Sequence, residues 1–244
     1  MYDMMARMTT PTANAGPSLT VVVPVGPTEC AWPDVLFHLV ALKDAEIVFV
    51  GTTREPSSFP GLCRQAGFHH LPRWVQDKPG RARQLNAGAG SARGSILWFL
   101  HADCRPSETC IETVSRLRSR PGTWLTWFRL RYLRDGPALT RLNAWGANVR
   151  SRLCRLPFGD QGLCMPASAF KRLGGFDDTL TLGEDLDLVV RARAAGTKML
   201  ELPCRLDTSA RRYRGQWLTT TCRHIALTMR LTHEARLRIG KAAP

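Results

Sequence analysis

The sequence predicts an α/β domain with a mostly parallel central sheet flanked by helices on both faces, a Rossmann-like three-layer sandwich. Three observations point there. Short β-branched and aromatic runs such as Leu19-Thr-Val-Val-Val-Pro-Val25 and Ile96-Leu-Trp-Phe-Leu100 recur with helix-length segments between them. These runs are apolar at nearly every position, as in strands covered on both sides. The chain has 244 residues, 44% of them hydrophobic, which suffices for one large core and excludes wholesale disorder.

The elements follow in order. Residues 19–25 form a buried strand closed by Pro24 and Gly26, and Trp32, Leu36, Phe37, Leu39 and Val40 mark a helix after it. A second strand spans 46–50 and stops at Gly51. Residues 56–66 read as loop and short helix, and 68–71 as a brief third strand. A helix runs from Gly80 to about Ala92 with Ala82, Leu85 and Ala89 on one face, and Gly94 separates it from the strand 95–100. Ser107 is the N-cap of a helix to Arg118. Residues 124–133 form an aromatic strand, 137–153 a helix, and 158–165 an extended Gly-containing stretch. Gly183 opens a helix to Ala195, Gly196 caps it, and a strand over 198–206 precedes a last helix over 216–239. This divides the chain into a disordered segment 1–18, a domain over 19–215 and a basic amphipathic helix over 216–244. The first half reads as the nucleotide-binding unit and the second as acceptor-side elaboration.

Charge narrows the partner. Five of the 34 basic residues are lysine (43, 78, 171, 198, 241), leaving 29 arginines, and the formal net charge is +14. Arginine grips phosphate or carboxylate through a planar fork, so an anionic partner is expected. No apolar run reaches the roughly 20 residues that cross a bilayer, and no secretory leader is visible, so a cytoplasmic location is expected. The eight cysteines show no C-x-x-C pair and read as small core residues.

Five stretches carry candidate chemistry. His101-Ala102-Asp103 follows a strand; on an extended chain His101 and Asp103 project together, where open α/β sheets gather ligands. A carboxylate there suits Mg²⁺ or Mn²⁺ bridging to phosphate oxygens, or simply caps a loop. Glu184 and Asp185 open a helix, where free N–H groups favour ionised carboxylates, as a general base requires and as ordinary capping also explains. Gly80-Arg81-Ala-Arg83-Gln-Leu-Asn86 sets a helix start beside arginines, suited to phosphate. The later Gly88-x-Gly90-x-x-x-Gly94 precedes a strand instead of following one, which excludes a dinucleotide loop. Arg211-Arg212-Tyr213 could clamp a diphosphate, and Asp160-Gln161 stand between glycines that permit close ligand approach.

In their order, these blocks resemble the family 2 glycosyltransferases of GT-A fold, over about residues 19–213. The likeness is greatest to small bacterial members reading Gly-Arg-Ala-x-Gln-x-Asn-x-Gly-Ala, then strand, then His-Ala-Asp. It continues through Phe158-Gly-Asp-Gln-Gly162, Leu173-Gly-Gly-Phe176, Glu184-Asp185-Leu186 and Ser209-Ala-Arg-Arg-Tyr213. The resemblance implies metal-assisted, inverting transfer of a sugar from a nucleotide-sugar donor to a hydroxyl acceptor. Asp103 would hold the divalent metal and Asp185 would be the base, supported by Glu184. Pro24, Arg81, Asn86 and His101 would border the nucleotide sugar, and Asp160, Gln161, Arg211, Arg212 and Tyr213 the diphosphate and acceptor. Two positions depart from the pattern: His101 stands where many relatives carry Asp, and the second strand ends in Val50-Gly51-Thr52 without the usual acid.

Three other readings compete. A nucleotide-sugar-binding relative with weak or no turnover is suggested by the missing acid. A nucleotidyltransferase would carry a basic Gly-rich loop after the first strand, and residues 24–28 have none. A nucleic-acid-binding protein fits the charge, but no recognition motif is present, so no nucleic acid is expected. The last helix mixes Trp217, Ile225, Leu227, Met229 and Leu231 with arginines, which suits an anionic membrane surface and a lipid-linked acceptor. Packing against the domain is its commoner fate and is the expectation.

Overall fold

The computed structural model describes residues 18–242. The segment 1–18 expected to be disordered lies outside them, apart from Ser18. Strands β1 (Leu19–Val25), β2 (Ala45–Gly51), β3 (Arg73–Gln76) and β4 (Ile96–Phe99) alternate with helices α1 (Trp32–Leu39), α2 (Phe59–Ala66) and α3 (Arg81–Ser91). The chain continues through β5 (Cys104–Arg105), α4 (Glu108–Arg116), β6 (Trp124–Tyr132), α5 (Thr140–Cys154), β7 (Cys164–Pro166), α6 (Ala167–Arg172), α7 (Glu184–Ala194), β8 (Lys198–Thr208) and α8 (Trp217–Ala242). All strands join one sheet in the order β3-β2-β1-β4-β7-β6-β8-β5. β2, β1, β3 and β4 are mutually parallel, β6 and β8 are parallel to each other, and only β7 and β5 pair antiparallel to their neighbours.

Strand periodicity divides the core between the two faces. Val21, Val23 and Val25 pack with Trp32, Leu36 and Phe49 on one side, and Val22, Val48 and Val50 with Leu85 on the other. Helix α3 lies unusually near the sheet because residue 88 is glycine: a Cβ there would stand 2.3 Å from Val22 Cγ1 and 3.0 Å from Val50 Cγ2. The carboxamide of Gln84 then reaches both strand ends, donating to the carbonyls of Val25 (2.8 Å) and Val50 (2.6 Å).

The sequence expectations need three corrections. The third strand is not 68–71 but β3, five residues later. Gly67 turns the chain at φ 95°, and Trp74 joins Trp32, Phe49 and Phe59 in an aromatic cluster that Phe68 does not enter. Residues 101–104 form a turn, closed by Cys104 N–H donating to the His101 carbonyl (3.1 Å), so strand alternation does not aim His101 and Asp103. The stretch 158–165 begins with a 3₁₀ turn at Gly159–Gln161 before β7.

Helix α8 packs one side on α7, with Thr232 and Ala235 buried and Leu231 directly over Gly183. Among the described residues, no helix is long and apolar enough to cross a membrane. All eight cysteines are free; Cys63, Cys104, Cys110, Cys164 and Cys204 are buried, and Cys30, Cys154 and Cys222 are exposed.

Candidate active site

Helix α7 starts at Gly183 (φ 84°), a conformation natural to glycine and pressed against Leu231. Its first turn carries Glu184, Asp185 and Asp187, all buried. Asp185 accepts from the backbone N–H of Gly159 (2.6 Å) and of Leu186 (2.8 Å). Burial pushes its carboxyl pKa up, yet the Arg81 guanidinium, the Gly159 N–H and His101 outweigh burial and hold it below the ordinary value. Glu184 is ion-paired with Arg81 Nε from the first turn of α3. A Cβ on Gly159 would fall 2.7 Å from His101 Nε2 and 3.1 Å from Asp185 Oδ2, so only glycine lets that turn touch both. Enclosure by protein, then the charges of Arg81 and Arg212, push the His101 pKa down to about 3 against the pull of Asp185. The imidazole is therefore neutral at ordinary pH.

Arg81, His101 and Arg212 form a shared wall of a cleft of about 570 Å³, bounded also by Pro24, the 26–29 turn, the start of α3, Asp103 and Arg211. Gly80, at φ 140°, leaves the first N–H groups of α3 at its edge. The Arg211 Nη2 donates to both carboxylate oxygens of Glu29 (2.6 and 2.5 Å) and stands 3.9 Å from Asp103 Oδ2. Burial raises the Asp103 carboxyl, opposed by Arg212 and Arg211. Three arginines and two carboxylates, Glu29 and Asp103, thus meet where β1 and β4 end.

A smaller cavity of about 110 Å³ lies on the other side of the wall, lined by Asp185, Asp160 and residues of α8. Arg81, His101 and Arg212 face both spaces. Asp160 is raised by burial, against Arg212 and Arg150. Its Oδ2 accepts from Tyr132 Oη at 3.5 Å, while its Oδ1 has no hydrogen-bond partner among the described residues.

Most sequence candidates therefore converge: Pro24, Arg81, His101, Asp103, Arg211 and Arg212 on the cleft, with Asp160 and Asp185 behind them. Asn86 is placed elsewhere. Its carboxamide is spent on Phe176, donating to the carbonyl (2.8 Å) and accepting from the N–H (2.9 Å). Gln161 is fully buried, bonded to Ser151 Oγ (2.6 Å) and the Phe128 carbonyl (3.1 Å). Tyr213 bonds Tyr132 Oη (3.3 Å) and His224 Nδ1 (3.2 Å), away from the cleft. Sequence reasoning missed Glu29, Gln84, Arg150 and His224. A charge following the first strand and an amide facing inward on α3 were the available signals for the first two.

The architecture is an α/β fold of the GT-A type, shared with solved structures. The particular structures it resembles include S. aureus TarS residues 1–349, at TM-score 0.61 and 12% identity over 79% of this chain and 60% of that one. The same fragment in complex with UDP-GlcNAc gives 0.62 and 13%, covering 80% and 59%. A mycobacterial protein gives 0.53 and 16%, covering 80% and 66%. This chain spans about three-fifths of the TarS fragment, and the likeness is one of fold. No family model matches the sequence, and no curated protein matches it.

Proposed function

We propose that the protein is a glycosyltransferase that moves a sugar from a nucleotide-sugar donor to a hydroxyl acceptor with inversion. One observation carries the reading: a cationic cleft and the carboxylate of Asp185, held ionised by its neighbours, adjoin at Arg81, His101 and Arg212, which face both spaces. The TarS structure in complex with UDP-GlcNAc supports the same donor class.

Each group has a physical task. Arg81, Arg211, Arg212 and the N–H groups at the start of α3 stabilise charge growing on a departing nucleoside diphosphate. Among the described residues no cluster of three or more His, Cys, Asp or Glu side chains could hold a metal by itself. The donor set instead fits a cation that arrives with diphosphate oxygens and needs one protein carboxylate, Asp103. Such an ion would supply further neutralisation of the leaving group. Asp185, kept ionised by Arg81 and two N–H groups, takes the proton of the acceptor hydroxyl. Glu184 holds Arg81 in place, and neutral His101 adds no competing positive charge to the wall.

The test is Asp185→Asn assayed with UDP-sugars, following nucleoside diphosphate release and donor affinity separately. Transfer should fall by about 10²–10⁴-fold, the usual worth of a positioned base, with donor affinity unchanged. Normal turnover in that variant would remove Asp185 from the mechanism. Donor binding without any release in the native protein would favour a binding-only relative.

A further inference from the structure

Helices α5 and α8 enclose a third and larger cavity, a groove of about 730 Å³. It is walled mainly by Leu142, Leu156, Phe158, Trp217, Ile225 and Met229. That volume lies within the range of about 300–1,000 Å³ usual for small-molecule sites. Phe158, Asp160, His224 and Thr228 line both it and the cavity that contains Asp185, so the groove adjoins the space around the candidate base. At the junction stand two polar groups without full partners: Asp160 Oδ1 and Arg150 Nη2 make no hydrogen bond among the described residues. On the same two helices Trp145, Leu153, Leu218 and Met229 are 65–75% exposed. Apolar side chains gathered on two adjacent surface helices mark a place where apolar matter is received.

We infer that this groove holds the acceptor and that the acceptor is a lipid-like alcohol, a single apolar chain ending in an uncharged hydroxyl. This rests on the transferase reading and names its acceptor class. The chain lies between α5 and α8, and the hydroxyl sits at Asp160 beside Asp185. Asp160 Oδ1, which receives no hydrogen bond among the described residues, suits a hydroxyl donor. In the transfer step the hydroxyl oxygen bonds to the anomeric carbon as the carbon–oxygen bond to the diphosphate breaks. The hydroxyl proton passes to Asp185 and the electron pair leaves with the nucleoside diphosphate.

The test uses 1-hexanol, 1-octanol and 1-decanol as probes, with displacement of an apolar fluorescent dye as readout. UDP is titrated into the same samples. Affinity should rise about fourfold per added methylene, the effect of burying one CH₂. Gly146→Phe puts a ring on the groove's lining: residue 146 lines it, and a Cβ there meets nothing within 4 Å, with the melting temperature as the check on the fold. The variant should bind 1-decanol at least tenfold more weakly, with UDP affinity and melting temperature as in the native protein. Equal 1-decanol binding by that variant, or no dependence on chain length, would overturn the assignment. Tighter binding of decyl phosphate than of 1-decanol would overturn the uncharged hydroxyl. Association with phospholipid vesicles without uptake of free alkanol would replace the acceptor with a membrane surface, and so also overturn it. Graded alkanol binding with no UDP binding would sink the transferase reading and leave the groove standing.

Discussion

The ion pair between Arg81 of α3 and Glu184 of α7 joins the helix that edges the cleft to the helix that carries the candidate base. Its energetic weight follows from burial. The Glu184 side chain is 2% exposed and that of Arg81 34%. Removing one partner of a buried pair ordinarily costs about 3–5 kcal/mol, because the other charge is left without compensation. Water can reach the space vacated by a one-third exposed arginine, so Arg81→Met should cost about 2–3 kcal/mol, below that range. Glu184→Gln leaves Arg81 facing Asp185 and should cost about 1 kcal/mol, as for one hydrogen bond. In the double variant no unpaired buried charge remains at 184, and its cost should be lower than the sum by about 1–2 kcal/mol. Urea unfolding at pH 7 measures all four corners, provided the denaturant slope stays constant. Additivity to within about 0.5 kcal/mol would show that the two side chains do not depend on each other, and would refute the argument.

Other outcomes follow from the same geometry. His101 has its pKa pushed down to about 3, so the unfolded chain, at about 6.5, takes up the proton first as pH falls. Stability present above pH 6.5 is therefore lost on acidification, by about 2 kcal/mol at pH 5; His101→Asn should flatten thermal-melt profiles over that interval, and an unchanged profile would count against a neutral imidazole. Gln84→Leu strips donors from the carbonyls of Val25 and Val50 and should destabilise by about 2–6 kcal/mol in chemical denaturation, at about 1–3 kcal/mol for each buried unsatisfied group. Asp103→Asn should abolish any Mn²⁺ enhancement of UDP-sugar affinity in titration calorimetry, while metal-free binding to the arginines persists.

Much of this architecture was readable because single segments carry it. β1, β2 and β4 are almost wholly apolar and of strand length, and Ser107, Gly183 and Gly196 mark helix limits by local chemistry. What escaped depends on partners distant in the chain. Asn86 reads like any polar helix residue; only the approach of Phe176, 90 positions later, turns it into a backbone clamp. Gln161 likewise meets Phe128 and Ser151 through folding alone. Trp74 prevails over Phe68 in placing the third strand because its ring fits above Gly51, where a Cβ would lie 2.1 Å from the indole. The groove was invisible for the same reason: α5 and α8 lie far apart in sequence, and neither shows alone that the other faces it.

The glycine seat beneath α3 acts at a distance from its own position. Residue 88 touches only valine side chains, yet it lies two helical turns from Arg81, at the opposite end of a stiff rod pinned midway by Gln84. A wedge of even one methyl group there would rock the rod about that pin and swing the guanidinium across the mouth of the cleft. The spacing of charge at the candidate site is thus gauged by an absent carbon atom deep in the hydrocarbon interior.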